Sequence, residues 1–310
     1  MIEKKSYRID IHHHILPPEY LKSLAKVNVI TAGNVQFPIW EPKDSLELMD
    51  RQGIATAITS ISSPGIYFGD SEFSKKVARL CNEYSANLIN DFPQRFGGFA
   101  ILPLPDIDAS LNELEYALDT LNLDGIVLLS NINGTYLGDP EYEELYSELN
   151  HRKMVVFIHP NAPPAEQLPK LSFPTSVLEF VFDTTRAAAN IIHHGILKKY
   201  PNIKFILAHA GGTAPYLAWR ITFGNERLIK YLKNFYYDMA ISATPYALNT
   251  LLQVTDSSKI LFGSDYPFVH EIIIKEMVQG LGKYNGFNKE ECSAIENKNA
   301  FSLFNRFKNE

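Results

Sequence analysis

The 310-residue sequence has only two cysteines, Cys81 and Cys292. Because they lie far apart in segments with helical patterns, we predict buried reduced thiols rather than a disulfide. No apolar run approaches the roughly 20 residues that a bilayer-spanning helix needs, and the polar amino terminus does not resemble a secretory signal peptide. These absences favour a cytoplasmic protein without a membrane partner.

Clusters of positive charge are also missing. The sequence has 29 lysines and arginines against 35 acidic residues, a net charge of −6, without any lysine- or arginine-rich run. Proteins that bind nucleic acid or an anionic membrane usually carry such a run, so we expect neither partner. No Gly-x-Gly-x-x-Gly turn follows the first predicted strand, which disfavours an open dinucleotide-binding sheet.

What the sequence does have is a regular alternation of strand-like and helix-like segments. Runs rich in β-branched and aromatic residues predict eight strands at 6–11, 55–62, 96–101, 125–129, 154–158, 204–208, 235–239 and 259–262. Helical patterns separate them, the longest at 71–91, 177–200 and 213–233. This alternation implies parallel strands with right-handed crossovers. We therefore predict one (β/α)8 TIM barrel over residues 1–310, with a doubly wound open sheet as the alternative.

Two connections are longer than barrel loops require. They cover residues 15–44 and 160–175, and both are rich in proline. Long loops after barrel strands usually build or cover the substrate pocket. We therefore predict a lid over the pocket, and the alternative is a packing excursion.

Four of the predicted strand ends carry metal-binding groups. These groups are His12 and His14, His159, His209 and Asp265. The two histidines of the first strand are two residues apart and project to the same face, whereas His13 points the other way. Active sites of barrels form at the carboxyl ends of the strands. Imidazole with carboxylate is the usual donor set of a catalytic divalent metal.

The number of donors exceeds what one catalytic metal needs, because such a site keeps a position open for water or substrate. Two-metal barrels commonly need a bridging carboxylate or modified lysine after the fourth strand, where this sequence has Ser130 and Asn131. We therefore predict one ion. Its ligands are His12, His14, His159 and Asp265, and His209 is left as an acid or base.

Taken in order, these motifs resemble the amidohydrolase superfamily. More narrowly they are similar to its decarboxylase branch, which includes aminocarboxymuconate-semialdehyde decarboxylase and the salicylate-type decarboxylases. The similarity spans nearly the whole chain and rests on Asp10-Ile11-His12-His13-His14-Ile15-Leu16-Pro17, Trp40-x-Pro42, Ile158-His159-Pro160, His209-Ala210-Gly211-Gly212, Gly263-Ser264-Asp265-Tyr266-Pro267 and Asn297-x-Asn299-Ala300-x-x-Leu303-Phe304. The resemblance implies zinc, or manganese as the alternative, on the same four ligands, and a catalytic His209.

The resemblance also implies residues that bind substrate. Arg220 matches an arginine that in this branch reaches the active site of a neighbouring subunit and holds the substrate carboxylate, which implies a homodimer. An arginine fork suits a carboxylate. Trp40 belongs to the same motif set and is a further substrate-binding candidate. Residues 182–187 are similar to the methylsalicylate side of the branch and make Arg186 a second carboxylate-binding candidate, with a helix salt bridge as the alternative. The stretch 43–49 lacks the arginines of the muconate-semialdehyde enzymes.

These residues predict a carboxy-lyase. The expected reaction is non-oxidative decarboxylation of a small aromatic or dienoic carboxylic acid similar to salicylate, with the proton delivered by Asp265 or His209. The same scaffold supports an alternative, hydrolysis of a lactone or amide by metal-bound water. A non-catalytic barrel that binds a metal or ligand is a more remote alternative.

Overall fold

Eight parallel strands pair in chain order in the computed structural model, which describes residues 7–164, 168 and 170–307. They are Arg8–His14 (β1), Ile54–Ser60 (β2), Phe96–Ile101 (β3), Gly125–Leu129 (β4), Val155–His159 (β5), Lys204–Leu207 (β6), Tyr236–Asp238 (β7) and Ile260–Leu261 (β8). The predicted (β/α)8 barrel is confirmed. Of the predicted domain, residues 1–6 and 308–310 lie outside the described residues, as do 165–167 and 169 of the second long loop.

Backbone hydrogen bonds join β8 to β1 and close the barrel. The Ile11 N–H donates to the Phe262 carbonyl across 3.0 Å, and the Asp265 N–H donates to the His12 carbonyl across 2.7 Å. Because β8 itself has only two residues, these bonds beyond its end hold the seam together. The seam therefore runs through the segments that carry two of the predicted metal ligands.

Large apolar side chains fill the barrel interior beneath the strand ends. Phe157 of β5 and Phe99 of β3 are buried, and their ring centroids lie 5.5 Å apart. The edge of the His12 ring meets Phe157 with centroids 4.9 Å apart. Strands buried on both faces read as continuous apolar runs, as β5 does. This apolar floor keeps the imidazoles above it in a site of low polarity.

Helices surround the sheet. Their bounds are Pro18–Lys26 (α1), Pro42–Gln52 (α2), Ser71–Asp91 (α3), Ile107–Glu115 (α4), Glu143–His151 (α5), Glu179–His193 (α6), Ile196–Lys199 (α7), Ala218–Thr222 (α8), Glu226–Leu232 (α9), Pro245–Leu251 (α10), Glu271–Lys283 (α11), Lys289–Ser293 (α12) and Asn299–Leu303 (α13). Among the described residues, no helix has both the length and the apolar character needed to cross a bilayer.

The two cysteines differ in burial. Both thiols are free, as predicted. Cys81 is buried on the inner face of α3, but Cys292 is only partly buried because it lies in the short helix α12 near the surface. The prediction of two buried thiols is therefore right for Cys81 alone.

Two of the long predicted helices are broken. The pattern at 177–200 divides into α6 and α7 at Gly195, which has φ of +68°. The pattern at 213–233 divides into α8 and α9 at Phe223 and Gly224, which have φ of +48° and +68°. A residue in the left-handed region ends an α-helix. Each glycine in the sequence therefore indicated a break, although the helical periodicity continued on both sides of it.

Each long loop has structure of its own. The first contains α1 and a hairpin of Thr31–Ala32 with Val35–Gln36. The tip of this hairpin contacts the second loop, where the Asn34 amide donates to the Thr175 hydroxyl across 2.8 Å. A second hairpin, Asn131–Ile132 with Thr135–Tyr136, follows β4. The two long loops thus meet above the carboxyl ends of the strands.

Candidate active site

Four donor groups converge at the carboxyl end of the barrel. His12 and His14 of β1, His159 of β5 and Asp265 after β8 each offer one atom, and these atoms lie within 4.8 Å of one another. The His12 Nε2 is 3.1 Å from the His14 Nε2 and 3.3 Å from the Asp265 Oδ1. All four residues are buried. The structure brings together the four predicted ligands, and their donor atoms are close enough to share one cation.

A β-bulge in β1 positions its histidines. The register of β1 against β2 shifts between Asp10 and His13. His12, within this shift, and His14, beyond it, face the donor cluster, and His13 faces α2, where its Nε2 is 2.8 Å from the Ser45 hydroxyl oxygen. The predicted opposite orientation of His13 is confirmed.

Hydrogen bonds on the far side of two imidazoles orient them. The His14 Nδ1–H donates to the Ser60 hydroxyl across 3.1 Å, and the His159 Nδ1–H donates to the Pro160 carbonyl across 2.8 Å. With Nδ1 protonated, Nε2 of each neutral ring presents a lone pair to the centre of the cluster. This arrangement is typical of imidazoles that bind a metal.

Asp238, which the sequence analysis missed, connects two of the predicted site residues. Its Oδ2 accepts from the His12 Nδ1–H across 2.8 Å. Its Oδ1 accepts from the backbone N–H groups of His209 and Ala240 across 3.2 Å and 2.8 Å. Asp238 ends β7 just as the predicted site residues end their strands. The signal was present, but the seventh strand was predicted to continue to residue 239 and the aspartate was placed inside it.

His209 lies beside the donor cluster, as predicted. Its Nε2 is 3.2 Å from the Asp265 Oδ2, and its buried Nδ1 has no hydrogen-bond partner among the described residues. Its φ of +53° is unusual for a residue with a side chain, and the bond from its backbone N–H to Asp238 holds it there. An imidazole with one free nitrogen at this place can donate or accept a proton. Its role as an acid or base stays a prediction.

Burial and the two aspartates determine the protonation of the cluster. Burial disfavours a charged His12, but Asp238 and Asp265 outweigh this effect and raise the pKa of His12 to about 10. Burial lowers the pKa of His14 and, by a larger amount, that of His159. Burial would raise the pKa of Asp265, yet the neighbouring histidines, His12 first, hold it well below its usual range. At neutral pH a cation would therefore meet three groups in their ligating form and displace one proton, from His12.

A cavity of about 380 Å³ opens onto the cluster. His159, His209 and Asp265 form part of its lining. The rest of the described lining consists of aliphatic and aromatic side chains, among them Phe180 and Phe268, and of four serines, with no lysine or arginine. Its volume falls within the range of small-molecule sites. Its walls suit an apolar ring and its base suits a negatively charged group next to a metal.

The first long loop and the residues just after the second line this cavity. Ala32 and Val35 come from the hairpin of the first loop, and Ser176 and Val177 directly follow the second loop, which ends at residue 175. The tip of the hairpin also fits closely against α6, because a Cβ added at Gly33 would lie 2.9 Å from the Phe180 ring. These contacts favour the predicted lid over a packing excursion.

Two predicted substrate-binding arginines lie away from the lining of this cavity. Arg220 is exposed on α8, and its side chain has no hydrogen bond or ion pair with any described residue. Arg186 is exposed on α6, where its Nη1 lies 3.7 Å from Glu179 and 3.6 Å from Asp183. The contacts of Arg186 match the alternative, a helix salt bridge. Within one subunit, neither arginine is part of the described lining.

Trp40 is also absent from the described lining of the cavity. Its side chain is buried, and the indole N–H donates to the Ser45 hydroxyl of α2 across 2.8 Å. Since Ser45 also contacts His13, Trp40 belongs to the outward-facing side of β1. Its predicted substrate contact stays a prediction, and its position suggests a different role.

The end of β4 offers no bridging ligand among the described residues. The Ser130 hydroxyl and the Asn131 amide both donate to the buried carboxylate of Asp183. Asp183 is thereby engaged away from the four donors, and the single ion stays a prediction.

Comparison with known proteins places this geometry in a family. Residues 9–306 match the family model for amidohydrolases. The chain belongs to the amidohydrolase family. The decarboxylase macB of Penicillium terrestre is 36% identical over 97% of this chain and 96% of that protein. The 6-methylsalicylic acid decarboxylase of Penicillium expansum is 33% identical over 97% of both.

A solved structure gives the same result for the fold. The crystal structure of an amidohydrolase II superposes with a TM-score of 0.91 at 30% identity, over 96% of this chain and 99% of that one. The predicted family resemblance is therefore confirmed, and the curated relatives support a carboxy-lyase within the family.

Proposed function

We propose that the chain is a metal-dependent decarboxylase that removes CO2, without oxidation, from a small aromatic acid with a hydroxyl group beside its carboxylate. The observation that carries the proposal is the buried set of three imidazoles and one carboxylate at the base of an apolar cavity. The decarboxylase relatives, which match the chain over nearly its full length, give independent support.

The donor set fits a divalent cation. His14 and His159 have their outer nitrogens occupied by acceptors, and the buried carboxylate of Asp265 needs a positive partner. An ion held by these residues and His12 would stabilise the negative charge that develops as CO2 leaves. We propose one zinc ion, with manganese as the alternative, because both accept imidazole and carboxylate ligands. Metal analysis of the purified protein distinguishes them.

The cavity favours an aromatic acid over a dienoic dicarboxylate. Its described walls are apolar apart from the site residues and four serines. A second carboxylate would be desolvated there without a cationic partner from the same subunit, which is costly. A ring with one carboxylate and a neighbouring hydroxyl places its charge at the base and its apolar face against Phe180 and Phe268.

The contact between His209 and Asp265 is the proposed source of the proton. Their side chains are 3.2 Å apart and both line the cavity. The carbon that loses CO2 must gain a proton, delivered by His209 directly or through Asp265. Both residues would therefore contact the reacting atoms.

We also propose a homodimer in which Arg220 enters the partner's active site. The side chains around it are apolar and open: Tyr216, Trp219 and Phe223 are 80%, 70% and 79% exposed. Contiguous exposed apolar side chains usually mark an interface. An arginine from the second subunit would supply the cation that the lining within one subunit lacks.

We further propose a cytoplasmic location, with which the free thiols accord.

The test is incubation of the zinc- or manganese-loaded protein with a panel of hydroxybenzoates, with mass analysis of products. We expect products that have lost the mass of CO2. Products that have gained the mass of water would favour the alternative, hydrolysis of a lactone or amide. Tight metal binding without turnover of hydroxybenzoates, lactones or amides would favour the non-catalytic barrel. The metal-free protein is the control, and it should be inactive.

A further inference from the structure

We infer that Trp40 is a positioning residue for the metal donors, and that it acts through a buried chain of hydrogen bonds ending at Asp10. The inference rests on the proposed metal-dependent function. Trp40 is outside the described lining of the cavity, and the inference gives it a role there. It also gives a role to Asp10 and His13, which lie within the first metal-binding motif but outside the four donors.

The outer end of the chain of hydrogen bonds is the Trp40 indole. Its N–H donates to the Ser45 hydroxyl oxygen across 2.8 Å. The same oxygen lies 2.8 Å from the His13 Nε2. Ser45 and His13 are completely buried, so water does not offer a replacement partner. A hydroxyl that accepts from the indole has its own proton free to donate to His13 Nε2.

This direction of donation, from the indole to Ser45 and from Ser45 to His13, determines the tautomer of His13 and orients its ring toward Asp10. With Nε2 as the acceptor, Nδ1 is the ring nitrogen of His13 that donates. That nitrogen donates to the Asp10 Oδ2 across 3.0 Å. The bulge in β1 makes the contact possible, because the register shift between these residues brings their side chains to the same side. The Trp40 N–H, the Ser45 hydroxyl and the His13 Nδ1–H therefore each have one acceptor along the chain of hydrogen bonds.

The inner end is Asp10, which links the two sides of the barrel seam. Its Oδ1 accepts from the backbone N–H groups of His12 and Ser264 across 3.2 Å and 3.0 Å. Its Oδ2 accepts from the Ser264 hydroxyl across 2.6 Å. His12 is a proposed ligand, and Ser264 directly precedes another, Asp265. One buried carboxylate thus determines the spacing of two ligands where β8 no longer forms a ladder with β1.

Three possible roles of Trp40 predict different measurements. A positioning residue changes the affinity for the metal and the turnover number while KM stays the same. A residue that contacts substrate changes KM and leaves metal affinity unchanged. A residue that only supports packing lowers the thermal midpoint of the metal-free protein and leaves the metal affinity of the folded protein unchanged.

The decisive variant is Trp40→Phe, which keeps an aromatic ring but removes the N–H donor. Zn²⁺ affinity is measured by competition with a chelator, together with kcat, KM and the thermal midpoint of the metal-free protein. We expect Zn²⁺ affinity about 3- to 10-fold weaker, a lower kcat, and a KM within twofold of that of the unchanged protein. Substitution of a residue that directly contacts a metal ligand commonly weakens metal binding about 10- to 100-fold, and Trp40 is further away. Tyr84→Phe is the matched control. Tyr84 packs beside the indole with ring centroids 6.4 Å apart but is outside the chain of hydrogen bonds, so it should behave as the unchanged protein.

A double-mutant cycle separates the chain of hydrogen bonds from local packing. Ser45→Ala should weaken Zn²⁺ binding as Trp40→Phe does, and the double variant should be no weaker than either single one. Asp10→Asn should have the largest effect, about 10- to 100-fold. If that variant does not fold, the double-mutant cycle of Trp40 and Ser45 still shows whether the two residues act on metal binding through the same chain of hydrogen bonds.

Two results overturn the inference. One is unchanged Zn²⁺ affinity in Trp40→Phe and Ser45→Ala, and the other is a raised KM with unchanged affinity. If the unchanged protein binds no Zn²⁺ or Mn²⁺ at all, the proposed function fails instead. The two failures are therefore distinguishable.

Discussion

The His12 Nδ1–H donates to the Asp238 Oδ2 across 2.8 Å, and both side chains are completely buried. Asp238 also accepts the backbone N–H of His209, the proposed acid or base. One carboxylate at the end of β7 therefore fixes a proposed metal ligand and a proposed catalytic residue at the same time. Both effects can be measured separately.

Asp238→Asn should weaken Zn²⁺ binding by about 10- to 100-fold, because the amide lacks the negative charge that holds the His12 ring in place. Turnover should fall even at saturating metal, since the backbone of His209 loses a charged acceptor. Chelator competition and steady-state kinetics measure the two effects. Asp91→Asn at the exposed end of α3 is the control and should change neither. Unchanged metal affinity in Asp238→Asn would contradict the assigned role.

Metal affinity should depend on pH through His12. Its pKa is raised to about 10, so below that pH the ring carries a proton that the metal must displace. Apparent affinity should therefore rise with pH by about tenfold per unit between roughly pH 6 and 9. Chelator competition in a series of buffers measures the slope. In Asp238→Asn the pKa of His12 should fall and the slope should flatten at the upper end. A flat profile in the unchanged protein would contradict the raised pKa.

His209→Ala and His159→Ala should separate chemistry from metal binding. His209→Ala should keep its metal and lose about 10²- to 10⁴-fold in turnover, the usual contribution of a general acid or base. His159→Ala should lose metal as well as activity. Metal content per subunit and kcat are the measurements, with His151→Ala at the end of α5 as the control. Loss of metal from His209→Ala would make His209 a ligand.

Arg220 should act across the dimer interface. Arg220→Ala and His209→Ala homodimers should each be nearly inactive. A heterodimer of the two, purified through two affinity tags, has one site with an intact His209 and an Arg220 supplied by the partner. Activity should therefore return in the heterodimer. An inactive heterodimer would show that Arg220 acts within its own subunit, and an active Arg220→Ala homodimer would show that Arg220 has no role.

Gly33→Ala should disturb the lid formed by the two long loops. Gly33 has φ of +53°, and an added Cβ would lie 2.9 Å from the Phe180 ring that lines the cavity. We expect a raised KM with unchanged metal affinity. Gly69→Ala is the matched control, since Gly69 has φ of +89° but nothing within 4 Å of the added Cβ. Both variants carry the backbone strain of about 1–2 kcal/mol, so they differ in the close contacts of the added Cβ with Phe180 and Ser176, which only Gly33→Ala has. Equal KM values in the two variants would contradict the lid.

The sequence predicted the barrel and the convergence of four metal-capable side chains, because both follow from local patterns. The bounds of β3, β4 and α3 are those predicted, since each is a continuous run that is followed either by prolines, as are β3 and α3, or by polar residues, as is β4. In a parallel barrel every strand ends at the same face, so a histidine at the end of β5 and one at the end of β6 must lie near each other. Strand order alone predicts this.

The remaining features depend on distances that local patterns do not encode. Asp238 was hidden by a one-residue error in the end of β7. The contact between Asp10 and His13 needs a bulge, and regular alternation predicts opposite faces for these residues. Trp40 was recognised as part of a motif, but the motif does not say whether its ring faces the cavity or α2.

The closure of the barrel has a consequence for how the protein matures. His12 lies in the first strand and Asp265 just after the last, so an ion that bound both would cross-link nearly the entire length of the chain. A nascent chain that ends before β8 contains three of the donors but cannot assemble the fourth. Metal uptake at the proposed site would thus report completion of the barrel, and the ion would stabilise only the finished form.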